Sequence, residues 1–297
     1  MVSGLGLLAA RSVPQLLALR LLQGLAGAMF YGAASASVTD VAPNDRRATY
    51  LARYSLFFYV GFATGPALAE FLISERGFDA VWIAVTISTF AGALLALFIP
   101  ETGQKQTDPA RMRMRDRFFH PAAVRPGMVY FCVGVGWTAV GTFLALYATS
   151  IGMSSSGGLF VALSASVMVT RSIAGSLADR LGRRAVAVPC ATACAVGLAI
   201  LATFQSPGPA FVAVIVFGGG FAGIFPTLLA MVVDQAPPTE RGQAMGSFNL
   251  FFDIGAPLGG YLTGALIDWS GYGAGFGAMA AVALVGAILM FATPKPS

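Results

Sequence analysis

An all-α membrane protein of two pseudo-symmetric helix bundles is the fold class this sequence predicts. Three observations predict it: a shortage of charge, a series of apolar stretches of membrane length, and an internal repeat 194 residues apart. Charged residues make up 10% of the 297 residues and apolar ones 57%, with a mean hydropathy of +0.76. Soluble domains average about 25% charged residues, so a soluble chain of this size could not cover its surface. A transmembrane β-barrel is excluded, because the apolar stretches run for about 20 residues without the polar alternation of barrel strands. Cys132, Cys190 and Cys194 all lie in apolar stretches, so no disulfide framework is implied. The single histidine, His120, falls in a polar loop. With no cluster at ligand spacing, neither a metal nor another cofactor is expected.

A hydrocarbon core about 30 Å thick needs roughly 20 apolar residues in a helix. Nine stretches reach that length: 15–38, 49–73, 79–99, 126–149, 156–178, 185–204, 208–233, 242–267 and 273–293. Residues 1–9 are apolar but too short to span. They lack the basic start and cleavage pattern of a signal peptide, so they read as the end of a partial helix. Fourteen Lys and Arg residues sit in or beside one set of loops, against two (Arg11 and Arg76) in the other. The positive-inside rule places the basic loops and the C-terminus in the cytoplasm of a multi-pass inner-membrane protein. The basic run Arg111 to Arg117 then reads as a topology signal near anionic lipid, and no nucleic-acid partner is expected.

Residues 20–73 and 214–267 agree at 16 of 54 positions without a gap, including Asp40 with Asp234 and Arg47 with Arg241. Both copies carry their loop on the same side, so the repeat is parallel, about an axis along the membrane normal. Residues 126–297 hold six spans, and 100–125 form a cytoplasmic linker. Residues 1–99 hold three spans and a fragment, which in a two-times-six arrangement are part of helix three and helices four to six. The expectation is an N-terminally truncated first bundle, the chain beginning some 70 residues into the architecture.

Gly175-Ser-Leu-Ala-Asp179-Arg180-Leu-Gly182-Arg183-Arg184 lies between two spans. Gly182 suits a turn too tight for a Cβ, and Asp179 could face the positive end of a neighbouring helix. This segment resembles the loop motif of the major facilitator superfamily, G-x-L-a-D-r-x-G-r-r. Arg20-Leu-Leu-Gln23-Gly24-Leu-Ala-Gly27 resembles that family's fourth-helix motif. The resemblance ties Arg20 to proton coupling, whereas a guanidinium snorkelling to the interface is the plain reading. Gly61-x-x-x-Gly65-Pro66 resembles the fifth-helix signature of the drug:proton antiporter branch, with Ala69-Glu70 in place of its final glycine pair. Small residues four apart also serve plain helix packing, and Gly255 and Gly259 occupy the equivalent positions of the second copy.

Asp253 lies near the middle of its span and replaces Tyr59 of the first copy. A solitary midplane carboxylate marks a proton or substrate site, or one neutralised by nearby Ser or Asn. Phe30, Tyr31, Trp137, Tyr147, Phe221 and Phe225 are candidates to line a cavity. Gly218, Gly219, Gly220 and Pro226 make 208–233 the most deformable span. Asp234 is expected close to the Asp179/Arg180/Arg183 loop, with the helix near Thr49 as a neighbour across the bundles.

What the resemblance implies is a monomeric secondary transporter exporting a small molecule in exchange for protons by alternating access. Uptake by symport or facilitation is the alternative, as is a non-transporting remnant or a full-length transporter with a misassigned start. An enzyme is not expected, because no nucleophile–base pair, metal cluster or phosphate loop is present in the sequence.

Overall fold

The computed structural model describes residues 2–43, 47–99, 119–237 and 240–292, and every element in that set is helical. In order these are α1 (Val2–Ala9), α2 (Val13–Val41), α3 (Arg47–Arg76), α4 (Phe78–Ala96), α5 (Pro121–Ser150), α6 (Gly157–Leu181), α7 (Arg183–Thr203), α8 (Pro207–Gln235) and α9 (Arg241–Phe291). Seven of them are long and apolar enough to cross a membrane. Helix α9 is two arms, because Gly271 breaks it with φ 81° and ψ 178°, a conformation open to glycine but not to residues bearing a Cβ. The arms fold back on each other: a Cβ on Gly275 would lie 3.3 Å from the Thr263 carbonyl oxygen.

The repeat holds residue by residue in the backbone. Adding 194 to the bounds of α2 (13 and 41) gives 207 and 235, the bounds of α8. The same shift carries Arg47, where α3 starts, onto Arg241, where α9 starts. Gly77, with φ 76° and ψ −177°, falls on Gly271. Even the helix ends match, since Ala42 N–H donates to Val38 O and Ala236 N–H to Val232 O, both at 3.1 Å.

Two compact units divide the chain, residues 1–61 with 67–108, and residues 62–66 with 109–297. In the larger unit α5 packs on α9 and α8, α7 packs on α8 and α9, and α6 lies against α8. Val133, Leu144, Leu198, Phe217, Phe248 and Phe276 are fully buried between them. Without a water-driven gain inside lipid, such helices hold together by close van der Waals contact, which small residues permit. The glycine triplet of α8 illustrates this. A Cβ on Gly218 would lie 2.8 Å from Leu163 O of α6, and one on Gly220 would lie 2.5 Å from Cys190 O of α7. Helix α8 runs unbroken through the triplet and Pro226, so these glycines are accounted for by packing on two neighbours.

In the smaller unit α1 packs on α2 and α4. The shift by 194 places α1 on residues 196–203, the last turns of α7, so this contact repeats that of α7 with α8 and α9. Helix α4 has no buried residue, whereas the matching arm 272–291 buries Phe276, Met279 and Met290.

Candidate functional site

Two constellations in the larger unit bring together residues singled out from sequence. The first is at the end where α5, α7 and α9 begin. Gly182 joins α6 to α7 with φ 88° and ψ 145°, and Arg183 and Arg184 open α7. The Arg183 guanidinium grips Asp234 at the end of α8 through two contacts, Nε to Oδ2 at 2.8 Å and a second nitrogen to Oδ1 at 3.2 Å. The planar fork suits such a bidentate pairing. Arg184 donates to the Phe291 carbonyl oxygen and lies over the Phe291 ring, 5.3 Å from its centre. One turn thus ties two helix C-termini, where cations are favoured. Arg180 is exposed. Of Tyr31, Asp40, Thr49, Gly175 and Asp179 the structure describes only that they are helical, so the parts expected of them lie outside the described residues.

Gly182 has nothing within 4 Å of where a Cβ would stand, so the demand for glycine there is purely conformational. Gly182→Ala is expected to cost about 1–3 kcal/mol of stability, read as a lower melting temperature of the purified protein.

His120 completes this end; it stands outside the helix, as a loop residue would, but is buried there as the cap of α5. It is 7% exposed. Its backbone N–H donates to Ser247 Oγ at 3.0 Å, and its Nδ1 accepts from Ala122 N–H at 3.2 Å, capping α5. An accepting Nδ1 carries no proton, so Nε2 is the protonated nitrogen and donates to Glu240 Oε2 at 2.9 Å. The start of α5 is thereby fastened to the start of α9. His120→Ala is expected to cost about 1–2 kcal/mol through loss of the cap and a buried hydrogen bond. His120→Asn, which caps but does not reach Glu240, should recover part of that loss in the same melting assay.

The second constellation is an aromatic stack across α5, α8 and the first arm of α9. Tyr130 lies between Phe248 and Phe252, each 4.7 Å away ring to ring, and Trp137 stacks on Phe221 at 4.1 Å. Phe225 joins Tyr130 at 5.6 Å, and the Arg171 guanidinium lies 5.8 Å from the Phe225 ring centre. Asp253, next to Phe252, is exposed on the unit's surface. The sequence reading found Trp137, Phe221 and Phe225 but missed Tyr130, Phe248 and Phe252. Their signal was spacing: 130 with 137, 221 with 225 and 248 with 252 share helix faces. Tyr147 belongs elsewhere. It is fully buried, packs edge-on against Phe276 and donates to Phe204 O at 3.1 Å, so it is a core residue and no cavity liner.

The glycine pairs separate. A Cβ on Gly255 would lie 3.0 Å from Phe131 O, and one on Gly259 would lie 2.5 Å from Val135 O, so this pair seats α9 on α5. Nothing among the described residues comes within 4 Å at Gly61 or Gly65, and Pro66 continues α3. The packing role expected of the first copy therefore has no contact among the described residues to support it. In the smaller unit Arg20 donates to Gln23 Oε1 at 2.9 Å, and its guanidinium lies 5.4 Å from the Trp82 ring centre. Both residues are within two turns of the helix starts at Val13 and Phe78, which suits a guanidinium near the interface.

The Major Facilitator Superfamily model matches residues 1–171 and again 127–297. The chain belongs to the Major Facilitator Superfamily. Among relatives, it is 28% identical over 145 residues to the uncharacterized MFS-type transporter YhhS of Salmonella enteritidis, covering 49% of this chain and 36% of YhhS. The chain thus spans about a third of that relative's length. Among solved structures it resembles the human organic anion transporter MFSD10 (TETRAN), with a TM-score of 0.71 at 19% identity over 97% of this chain and 74% of that one. It also resembles a mutant of the nucleoside transporter NupG, with a TM-score of 0.78 at 14% identity over 98% and 80%. At these identities the likeness is one of fold. Its membership of the superfamily and its seven membrane-length helices make it a multi-pass membrane protein.

Proposed function

We propose that this superfamily member is the working part of a proton-coupled exporter of a small molecule, acting by alternating access from the inner membrane with its basic loops and C-terminus in the cytoplasm. The observation that carries this reading is Asp253. Its carboxylate is exposed halfway along an apolar helix whose neighbouring residues, Gly255 and Gly259, are committed to α5. A carboxylate at that depth is too costly to leave in lipid and belongs in a water-filled path, where it can take up and release a proton. The half-buried rings of that stack, Phe252, Phe225 and Trp137, offer flat apolar surface to a small amphipathic substrate. The cross-tied loop, with Arg183 on Asp234, is the cytoplasmic gate on this reading, and Asp179 would join it. Arg20 with Gln23 is a second polar pair for the proton path. The protein acts as a monomer.

Counterflow of a compound panel in proteoliposomes, at pH gradients imposed in either direction, tests the reading. Export coupled to protons predicts accumulation on the more acidic side. Accumulation on the alkaline side would favour uptake symport. Equilibration without dependence on the gradient would favour a facilitator, and no transport a remnant.

A further inference from the structure

The second arm of α9 comes close to α5 where Gly286 meets it. A Cβ there would lie 2.8 Å from Cys132 Cβ and 3.5 Å from Val129 O. Towards the basic end lies a cleft of about 180 Å³, lined by Arg125, Met128, Leu289 and Ala292. At about 30 Å³ per water that is room for roughly six waters, enough for a phosphate group. One wall is apolar, with Met128 44% exposed, and Arg125 stands at the other end. Among the described residues nothing pairs with the Arg125 guanidinium, unlike Arg183 and Arg184 nearby. Arg184 sits on the carbonyl of Phe291, the residue before Ala292, and adds a second positive charge beside the cleft. The cleft also lies at the depth where the apolar stretches begin and end, since Arg125 is the last residue before the stretch 126–149 and Ala292 is next to last in 273–293.

We propose that this cleft holds the headgroup phosphate of an anionic phospholipid, bound by Arg125, with an acyl chain descending along Met128 and Leu289. Position, charge and apolar wall favour a lipid over a free anion, because a soluble phosphate would gain nothing from the Met128 and Leu289 side. Occupancy would wedge the start of α5 against the end of α9, beside the His120 and Arg184 ties, and so make the basic end of this bundle sensitive to membrane charge. The proposal does not depend on the direction or coupling of transport.

The test uses the full chain in nanodiscs of phosphatidylcholine alone or of phosphatidylcholine mixed with phosphatidylglycerol. Lipids retained after release into detergent are counted by native mass spectrometry, and melting temperatures are taken in parallel. The wild type is expected to keep phosphatidylglycerol preferentially and to melt higher in the mixed discs. Arg125→Gln should weaken that retention about fivefold, the effect of one arginine at an anionic surface, with phosphatidylcholine retention unchanged. Leu289→Trp, which fills the cleft without altering charge, should weaken it as much. Met128→Trp makes the same test if Leu289→Trp fails to fold. Retention of phosphatidylglycerol by Arg125→Gln at the wild-type level would overturn the proposal. So would equal retention of the two lipids by the wild type, or a rise in melting temperature with inorganic phosphate that matches the one with phosphatidylglycerol.

Discussion

Gly259→Leu is expected to lower stability by about 3 kcal/mol or more, at or beyond the upper end of ordinary overpacking costs. The reason is what the new side chain would meet. A Cβ at Gly259 would stand 2.5 Å from Val135 O and 2.6 Å from Val135 Cα, and neither can swing away as a side-chain tip would. Relief requires the first arm of α9 to lift from α5. That would also disturb the stacking of Tyr130 on Phe248 and Phe252 that the same interface holds. Gly65→Leu, the equivalent change in the first copy, meets nothing within 4 Å among the described residues and should be nearly neutral in this chain. Melting of both variants in detergent, followed by fluorescence size exclusion, gives the contrast directly. Equal losses at the two positions would mean that α3 and α9 are packed alike.

Asp253→Asn is the change with the largest expected effect on function. Asparagine keeps the shape and most of the hydrogen-bonding capacity of the side chain but cannot exchange a proton. If one proton is exchanged per substrate, a gradient of one pH unit supports up to about tenfold accumulation, because about 1.4 kcal/mol corresponds to a factor of ten. The variant should reduce that ratio to about one while leaving substrate counterflow, which needs no net proton movement, within about twofold. Loss of counterflow and accumulation together would assign Asp253 to substrate binding or folding instead.

Much of the fold could be read from the sequence because a membrane imposes a strong constraint on it: every backbone polar group must be satisfied within a helix, so apolar length alone marks the spans. The 194-residue shift then yielded relations that composition could not, and the backbone reproduces them at Gly77 and Gly271 and at Ala42 and Ala236. Sequence identity did not extend to environment. Gly61 and Gly255 are the same residue at the same register, yet among the described residues only Gly255 has a helix against it. His120 escaped because its partners, Glu240 and Ser247, are 120 and 127 residues away, and nothing local distinguishes a cap from a loop histidine. Tyr147 was misplaced for a related reason. Its hydroxyl is satisfied by the carbonyl of Phe204, 57 residues on, which lets a polar aromatic sit in the core. The pairing of Arg183 with Asp234 was accessible from sequence, because the repeat fixed Asp234 at a helix end and the loop motif fixed the arginine.

Proton movement caused by substrate is the most direct test of the central claim. Liposomes containing the protein and a trapped pH-sensitive dye, with no gradient imposed, are given a transported compound on one side. Exchange through Asp253 predicts that the wild type moves protons opposite to the compound, and that Asp253→Asn moves none while still exchanging labelled compound. Compound entering at the wild-type rate with no change of internal pH would contradict it.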